Sequence, residues 1–410
     1  EIIIARYDSA QAAVNANLGN AGFLPTVSAN ASYNRSVVDQ EQQIAVGSDT
    51  SRPSGPLRFE DAASTNYQAG VSANYVLFDG LGRINNWRRL QLQSKLGNTQ
   101  LRFVIENTLL QLFNAYFAVA GNEERLSIAQ EAVSLSLDRY ERAQTAQELG
   151  SCTRLETLNA LVDLRADSLN WLNTRNALMQ SRRDLYLLLD LPLDTSLALD
   201  TGASIRLQRQ MNYGSLQKQA QESNVALVQA QLNRQIAEKD INIAWSERLP
   251  ELVASGGYDF SRQENEGGFL RFTESSGWRY GLSAQWNIFS SYRTQTRIET
   301  ARIALYQNEA QMALARKQLN RDLANAWLEH QNRLALHDLQ GRNVKVARLN
   351  YQRSKEAYQM GQIDNRELRD AQINYINAKT ERSRLRYEAK VAEIDLQRIA
   401  GVLIKEASGT

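Results

Sequence analysis

The sequence predicts a mainly helical chain with membrane β-structure, built as two related halves. Three observations carry that class. The chain echoes itself at a fixed separation, four short segments alternate apolar and polar residues, and two stretches of about 65 residues each read as one helix.

The echo comes first because it sets the organisation. Tyr140, Leu149-Gly150, Glu156 and Ala160 recur as Tyr351, Met360-Gly361, Glu367 and Ala371, always 211 residues on (351 − 140, 361 − 150, 367 − 156, 371 − 160). The same shift carries Gly70 onto Gly281 and Phe78 onto Phe289. Solenoid units repeat every 20–50 residues or so, which points here to a duplicated half-molecule. The expected repeats are 1–202 and 203–410, with an Asp-, Gly- and Gln-rich linker near 192–224.

Strands are expected at about 25–34, 67–78, 250–260 and 278–289. In TVSANASY, Val27, Ala29, Ala31 and Tyr33 share one face and Thr26, Ser28, Asn30 and Ser32 the other. Tyr67, Ala69, Val71, Ala73 and Tyr75 alternate likewise with Gln68, Gly70, Ser72 and Asn74. Leu252, Ala254, Tyr258 and Phe260 form a third apolar row, and Trp278, Tyr280, Leu282, Ala284 and Trp286 a fourth. A half-buried soluble sheet has this pattern, and so does a transmembrane β-strand of about ten residues. Aromatics near the strand ends (Tyr33, Tyr67, Tyr75, Tyr258, Trp278, Trp286) fit membrane-interface girdles. Polar loops join each pair, one containing SDTSRPSGP and the other RQENEGG. Four strands cannot close a barrel in lipid, so spanning strands would have to be shared among copies: eight in a dimer, twelve in a trimer.

Helices are expected at about 83–148, 153–190, 215–248, 293–360 and 365–404. The two longest contain no proline, and ~65 helical residues extend about 100 Å. The shorter partners carry narrow apolar seams: Leu155, Leu158, Val162, Leu169, Leu172, Met179 and Tyr186 in one, Leu385, Ala389, Ala392, Leu396, Ile399 and Leu403 in the other. Such seams pack helices side by side, as in coiled coils.

Composition narrows the function. A net charge of +2 gives no electrostatic case for a nucleic-acid partner. One cysteine, Cys152, excludes an internal disulfide, and it reads as an incidental small residue. No run of about 18 apolar residues is evident, so no transmembrane helix is expected. The chain opens on EIIIARYDSAQAAV, which reads as helix interior, so the lack of a signal peptide says nothing about location. Gly80-Leu81-Gly82 lacks the third glycine of a dinucleotide loop. His330 and His337 are seven apart, too far for a helical metal pair, and read as polar surface residues. No nucleophile–base set, phosphate loop, metal site or cofactor is expected, and an enzyme is not.

Paired motifs then carry a family resemblance. Each half has a helix–Leu-Pro–strand junction (FLPTVSANASY, RLPELVASGGY), a strand-to-helix exit (NYVLFDGLGR, QWNIFSSYR) and a helix–turn–helix (RYERAQTAQELGSCTRLETLNA, NYQRSKEAYQMGQIDNRELRDAQ). Both copies, in the same order, resemble the TolC-type outer-membrane efflux family. That resemblance implies a homotrimer in the Gram-negative outer membrane, with a twelve-stranded barrel continued by a long α-helical periplasmic barrel. It implies an exit duct for an inner-membrane transporter, reached through a periplasmic adaptor that docks at Leu149, Gly150, Ser151, Met360, Gly361 and Gln362. It further implies a gate or constriction at Glu367 and Asp370, with Glu156 and Asn159 as first-half counterparts. Tyr358 matches the family's latch tyrosine, whereas the latch arginine is replaced by Ile363, leaving Arg154 or Arg366 as candidate substitutes. A soluble coiled-coil scaffold is the main alternative, and an outer-membrane enzyme or adhesin on the same scaffold a third.

Overall fold

The computed structural model describes residues 1–42, 57–192, 205–267 and 270–404. The SDTSRPSGP loop and the boundary expected at 202/203 lie outside the described residues. In chain order the elements are α1 (Ile2–Asn15), β1 (Thr26–Gln42), β2 (Leu57–Phe78), α2 (Gly82–Glu148), α3 (Arg154–Leu188), α4 (Tyr213–Ser223), α5 (Val225–Ser246), β3 (Glu251–Asn265), β4 (Phe272–Gln285), α6 (Arg293–Gln359) and α7 (Asn365–Ile399). α2 and α6 each run 67 residues. The chain divides into a unit of Tyr7–Asn98 with Gln231–Ala310, which holds the sheet, and a helical unit of Glu1–Arg6, Thr99–Ala230 and Gln311–Thr410.

The sheet is antiparallel in the order β1-β2-β3-β4. Directly paired residues share a face, and the register aligns the apolar rows. Ala29 pairs with Val71, Val71 with Tyr258, and Tyr258 with Trp278. The opposite face is polar: Ser28 and Ser72 hydroxyls lie 3.0 Å apart, and Arg279 pairs with Asp259 at 3.0 Å. Gly70 is needed on that face, because a Cβ there would meet Asp259 Oδ1 at 2.6 Å. Much of the apolar face is open among the described residues of the single chain: Trp278 is 79 % exposed and Tyr280 88 %.

Five strand ends differ from expectation: the end of β1, the start of β2, the end of β3, which runs on to Asn265 through sequence read as loop, and both ends of β4. β1 and β2 continue past the apolar alternation, because the ladder runs on through polar pairs such as Asn34–Asn66 and Ser36–Ser64. A bulge then follows, where Asp61 has a φ of +52° and donates its N–H to Asp39 Oδ1. β4 starts at Phe272 in polar sequence, and it ends at Gln285 opposite Glu251. The next partner in register is Pro250, which has no N–H to give. Trp286 therefore leaves the strand, and its indole N–H donates to the Arg248 carbonyl at 3.0 Å.

The helix expected over 215–248 is two helices, and 213–223 is helical where a linker was expected. Asn224 breaks them apart with extended backbone. Its Oδ1 accepts from the Leu227 N–H and its Nδ2 donates to the Ile399 carbonyl. Gly401 (φ +71°) lies so close that a Cβ would meet Ser223 backbone at 2.6 Å. α4 buries Leu216 and Ala220 against Leu227, Leu323 and Leu396.

In the helical unit, α3 bonds to α2 (Trp171–Gln130, Arg182–Glu123), α2 to α7 (Glu124–Ser383, Glu131–Lys379), and α7 to α6 (Glu388–Arg333, Ala378–Gln340). The α7 seam is buried as expected at Leu385, Ala389, Leu396, Ile399 and Leu403. The α3 seam is not. Of the seam only Tyr186 is buried: Leu155, Val162 and Leu169 are each more than 60 % exposed, and α3 packs through Tyr186 together with Ala160, Leu178, Ser181 and Leu185. The reason is position: α3 flanks the packed set and presents its seam outward. α6 also presents Leu328, Leu339, Val346 and Leu349 outward. Contrary to expectation, α2 is long and apolar enough by composition to cross a bilayer. Its Phe117, Val119 and Ala120 lie in the protein core, which accounts for part of that apolar run.

Residues 205–212 lie along α6 and α7. The Gln208 N–H donates to Glu393, and its carbonyl lies 3.2 Å from His330 Nε2. Arg209 bonds both oxygens of Asp338, and Lys390 donates to the Arg206 carbonyl. His330 is consequently fully buried, a correction to its reading as a surface residue. A strap from elsewhere in the chain covers it, which helical periodicity does not show.

Candidate functional site

The two helix–turn–helix segments end in the same backbone device. α2 closes with Ser151 N–H to Ala146 O and Gly150 N–H to Gln147 O; α6 closes with Gln362 N–H to Ala357 O and Gly361 N–H to Tyr358 O. This is the Schellman ending, which requires a left-handed residue after the helix. Gly150 (φ +76°) and Gly361 (φ +70°) supply it, with open space where a Cβ would stand. Glycine is thus required here by dihedral and not by crowding. Leu149 and Met360 project into solvent, 79 % and 65 % exposed. Ser151 and Gln362 are exposed beside them.

Each following helix is capped alike. Thr153 accepts from the Glu156 N–H at 3.3 Å, and Asp364 accepts from the Glu367 N–H at 2.9 Å. Glu156 and Glu367 thereby occupy the first turns of α3 and α7, where the helix dipole favours an acid. Asn159 and Asp370 follow one turn on, and all four side chains are exposed. The structure therefore places Glu367 and Asp370 on one face but gives neither an ion pair among the described residues.

On the first turn, the Cys152 thiol donates to Glu156 Oε2 at 2.7 Å. Burial, then the adjacent Glu156, pushes the thiol above its ordinary value, so it stays protonated. Tyr358 is half-buried on α6, near Arg139, Arg142 and Leu368. Burial raises its phenol, and the nearby Cys152 and Glu156 push the same way.

The largest polar feature near the turns was not foreseen. Arg369, between Glu367 and Asp370 in sequence, bonds both oxygens of Asp167 at 2.6 and 2.9 Å. It also reaches Ser136 Oγ at 3.2 Å and lies 3.7 Å from Asp163. Ser136 donates to Asp167, Gln372 Nε2 donates to Ser136, and Arg139 donates to Asp163. Three helices thus meet through six polar side chains, of which Ser136, Arg139 and Gln372 are buried. Burial opposes the Arg369 charge, but the Asp167 bonds and the Asp163 charge outweigh it and raise its affinity for the proton. Arg154 and Arg366 are exposed and form no ion pair among the described residues. The signal was present in the sequence as polar pairs at helical spacing: Ser136/Arg139, Asp163/Asp167 and Arg369/Gln372.

The aromatics group by strand pairing. Tyr33 and Tyr67 face each other with centroids 5.2 Å apart, and Tyr258 meets Trp278 edge-on at 5.3 Å. The second pair sits level with Val71, about midway between Tyr67 and Tyr75. Those tyrosines are eight residues apart on β2, about 27 Å along an extended strand. Tyr75 lies under the Arg83 guanidinium at 5.8 Å.

Comparison with known proteins agrees with this layout. The family described as "Outer membrane efflux protein" matches residues 3–190 and 216–402. Outer membrane protein TolC of Escherichia coli (strain K12) is 22 % identical over 377 residues, covering 88 % of this chain and 74 % of TolC. A membrane protein from Pseudomonas aeruginosa superposes with a TM-score of 0.80 at 17 % identity, covering 98 % of this chain and 90 % of the other. The open-state MtrE outer membrane channel of Neisseria gonorrhoeae superposes at 0.75 with 16 % identity, covering 98 % and 85 %. At these identities the likeness to solved structures is one of fold.

Proposed function

Because the chain belongs to the outer membrane efflux protein family, we propose that it is a passive exit duct, completed only when three copies assemble in the outer membrane and extend into the periplasm. The observation that carries this reading is the sheet. Its four strands expose one apolar face, and β1 and β4 have no partner on their outer sides among the described residues. Open edges and bare aromatics are costly in water, and open edges are not tolerated in lipid. Pairing β4 of one copy with β1 of the next removes every edge at once. Twelve strands from three copies then form a barrel with the apolar rows outward and the Ser72, Asp259 and Arg279 face inward.

The helical unit supports the same assembly. The bare stripes of α3 and α6 lie on the two flanking helices, as a head-to-tail ring contact requires. Burying each leucine of such a seam stabilises by roughly 1.5–3 kcal/mol. A soluble coiled-coil scaffold leaves the sheet face unexplained.

In this reading the exposed turns, Leu149–Ser151 and Met360–Gln362, receive a periplasmic adaptor, and an inner-membrane transporter supplies the energy. Glu367 and Asp370 from three copies would bring six carboxylates around the axis, a ring that favours cations. Glu156, Asn159 and Tyr358 lie on the neighbouring turns and complete the gate. The test is reconstitution into planar bilayers from detergent. Cation-biased conductance is expected; a water-soluble protein without conductance would contradict the proposal.

A further inference from the structure

We propose that a groove between α2, α6 and α7 binds amphiphilic monoanions: an aromatic or aliphatic body carrying one sulfonate or carboxylate. The groove encloses about 720 Å³, within the range of small-molecule sites. Its floor is apolar, made by Leu110, Phe117, Tyr387 and Val391. Phe117 and Tyr387 belong to a core cluster and cannot fold away to fill the space. Gly121 helps to shape it, since a Cβ there would come within 3.3 Å of the Tyr387 ring.

The rim is charged, and nearly every charge is already answered. Arg333 bonds Glu329 and Glu388, Arg384 bonds Glu381 and Glu388, and Arg398 bonds Asp395. Arg125 differs. It lines the groove, yet forms no hydrogen bond or ion pair among the described residues. Nearby Glu381 has both oxygens held by Arg384, which keeps its carboxyl below the ordinary value, and the Arg125 charge only adds to that. The groove therefore combines an apolar floor with one guanidinium still able to bind an anion. A small inorganic anion would leave the floor empty, and a cation would find no unengaged acid on the rim.

The groove is also accessible. On α7, Lys390, Glu393 and Gln397 hold the 205–212 strap. Arg384, Glu388, Val391 and Asp395 line the groove roughly half a turn away around the helix, at 100° per residue. The strap therefore lies on the opposite side. Binding does not depend on the duct reading. If the helices do enclose a bore, the face without the strap lines it, and an occupant narrows the path for ions.

The test uses the full chain in nanodiscs, titrated calorimetrically with naphthalene-2-sulfonate, neutral 2-naphthylmethanol and inorganic sulfate. One saturable sulfonate site per chain is expected, with the neutral analogue roughly ten-fold weaker and sulfate silent. Arg125→Ala should weaken sulfonate binding about ten-fold and leave the neutral analogue unchanged, while Arg125→Lys restores most of it. Val391→Trp fills the groove and should weaken both organic probes. Sulfonate binding that is absent, that is unaffected by Arg125→Ala, or that is no tighter than that of the neutral analogue would overturn the proposal. Conductance is read separately. Partial block by the sulfonate places the groove in the bore; binding without block upholds the site and counts against that placement.

Discussion

Arg369 on α7 holds both carboxylate oxygens of Asp167 on α3, with their side chains 14 % and 15 % exposed. This pair fastens the start of the helix that carries Glu367 and Asp370 to the helix that carries Glu156 and Asn159. Removing one partner of a buried ion pair leaves the other charge uncompensated, which costs more than losing the pair as a whole. Arg369→Ala should destabilise the helical unit by about 3 kcal/mol, and the Arg369→Met/Asp167→Leu double variant by clearly less. Chemical denaturation of the two variants and their parent measures this. A double variant that loses as much as Arg369→Ala, or more, would contradict the cost assigned to the unpaired carboxylate.

The turns should be sensitive to dihedral and not to size. Gly150→Ala and Gly361→Ala meet no atom, yet each places a Cβ at positive φ, at a cost of about 1 kcal/mol. Asp364→Ala removes a cap for a similar cost. Amide exchange in the first turn of α7 should quicken several-fold in the cap variant. An unchanged rate would remove the cap from the account.

The strap over His330 should loosen in acid. The bonds from Arg209 hold Asp338 below its ordinary value of 3.8, with His337 adding to the effect. A carboxyl depressed in the folded state contributes stability above its unfolded value, and that stability is lost as pH falls through the folded one. The Gln208 amide should therefore lose protection below about pH 3.8, and Asp338→Asn should loosen it already at pH 7. Protection unaltered by Asp338→Asn would assign the strap's hold to Glu393 and Lys390 instead.

The proposed ring predicts a selectivity change. Glu367→Ala with Asp370→Ala should lower cation preference in single-channel recordings, whereas Glu156→Ala alone should do less, since Asn159 carries no charge. Identical reversal potentials in parent and double variant would take these acids out of the constriction.

Much of this molecule is legible in its sequence. The period-two rows of Val71 and Tyr258, the turn glycines and the acids behind them follow from local rules, and local rules hold wherever a backbone conformation or an alternation decides. What escaped was non-local. The stretch of β1 from Asn34 to Gln42 is strand because β2 pairs with it, not because its side chains alternate. Asn224 breaks a helix because the Ile399 carbonyl and Gly401 lie beside it. His330 is covered by residues 122 positions earlier. The Arg369 cluster draws on three helices, so each contributes a polar pair that resembles ordinary surface when read alone. The α3 seam was visible, but most of it stays exposed among the described residues.

That last point is the central claim: one chain is an incomplete object, and its sheet edges and the seams of α3 and α6 await other copies. Sedimentation equilibrium of the detergent-solubilised protein, with the detergent density-matched, tests it most directly. The account predicts a protein mass of three chains, reduced to single chains when Leu155, Val162 and Leu169 are all replaced by Asp. A parent protein that is monomeric in detergent, or that stays soluble and monodisperse without it, would contradict the account.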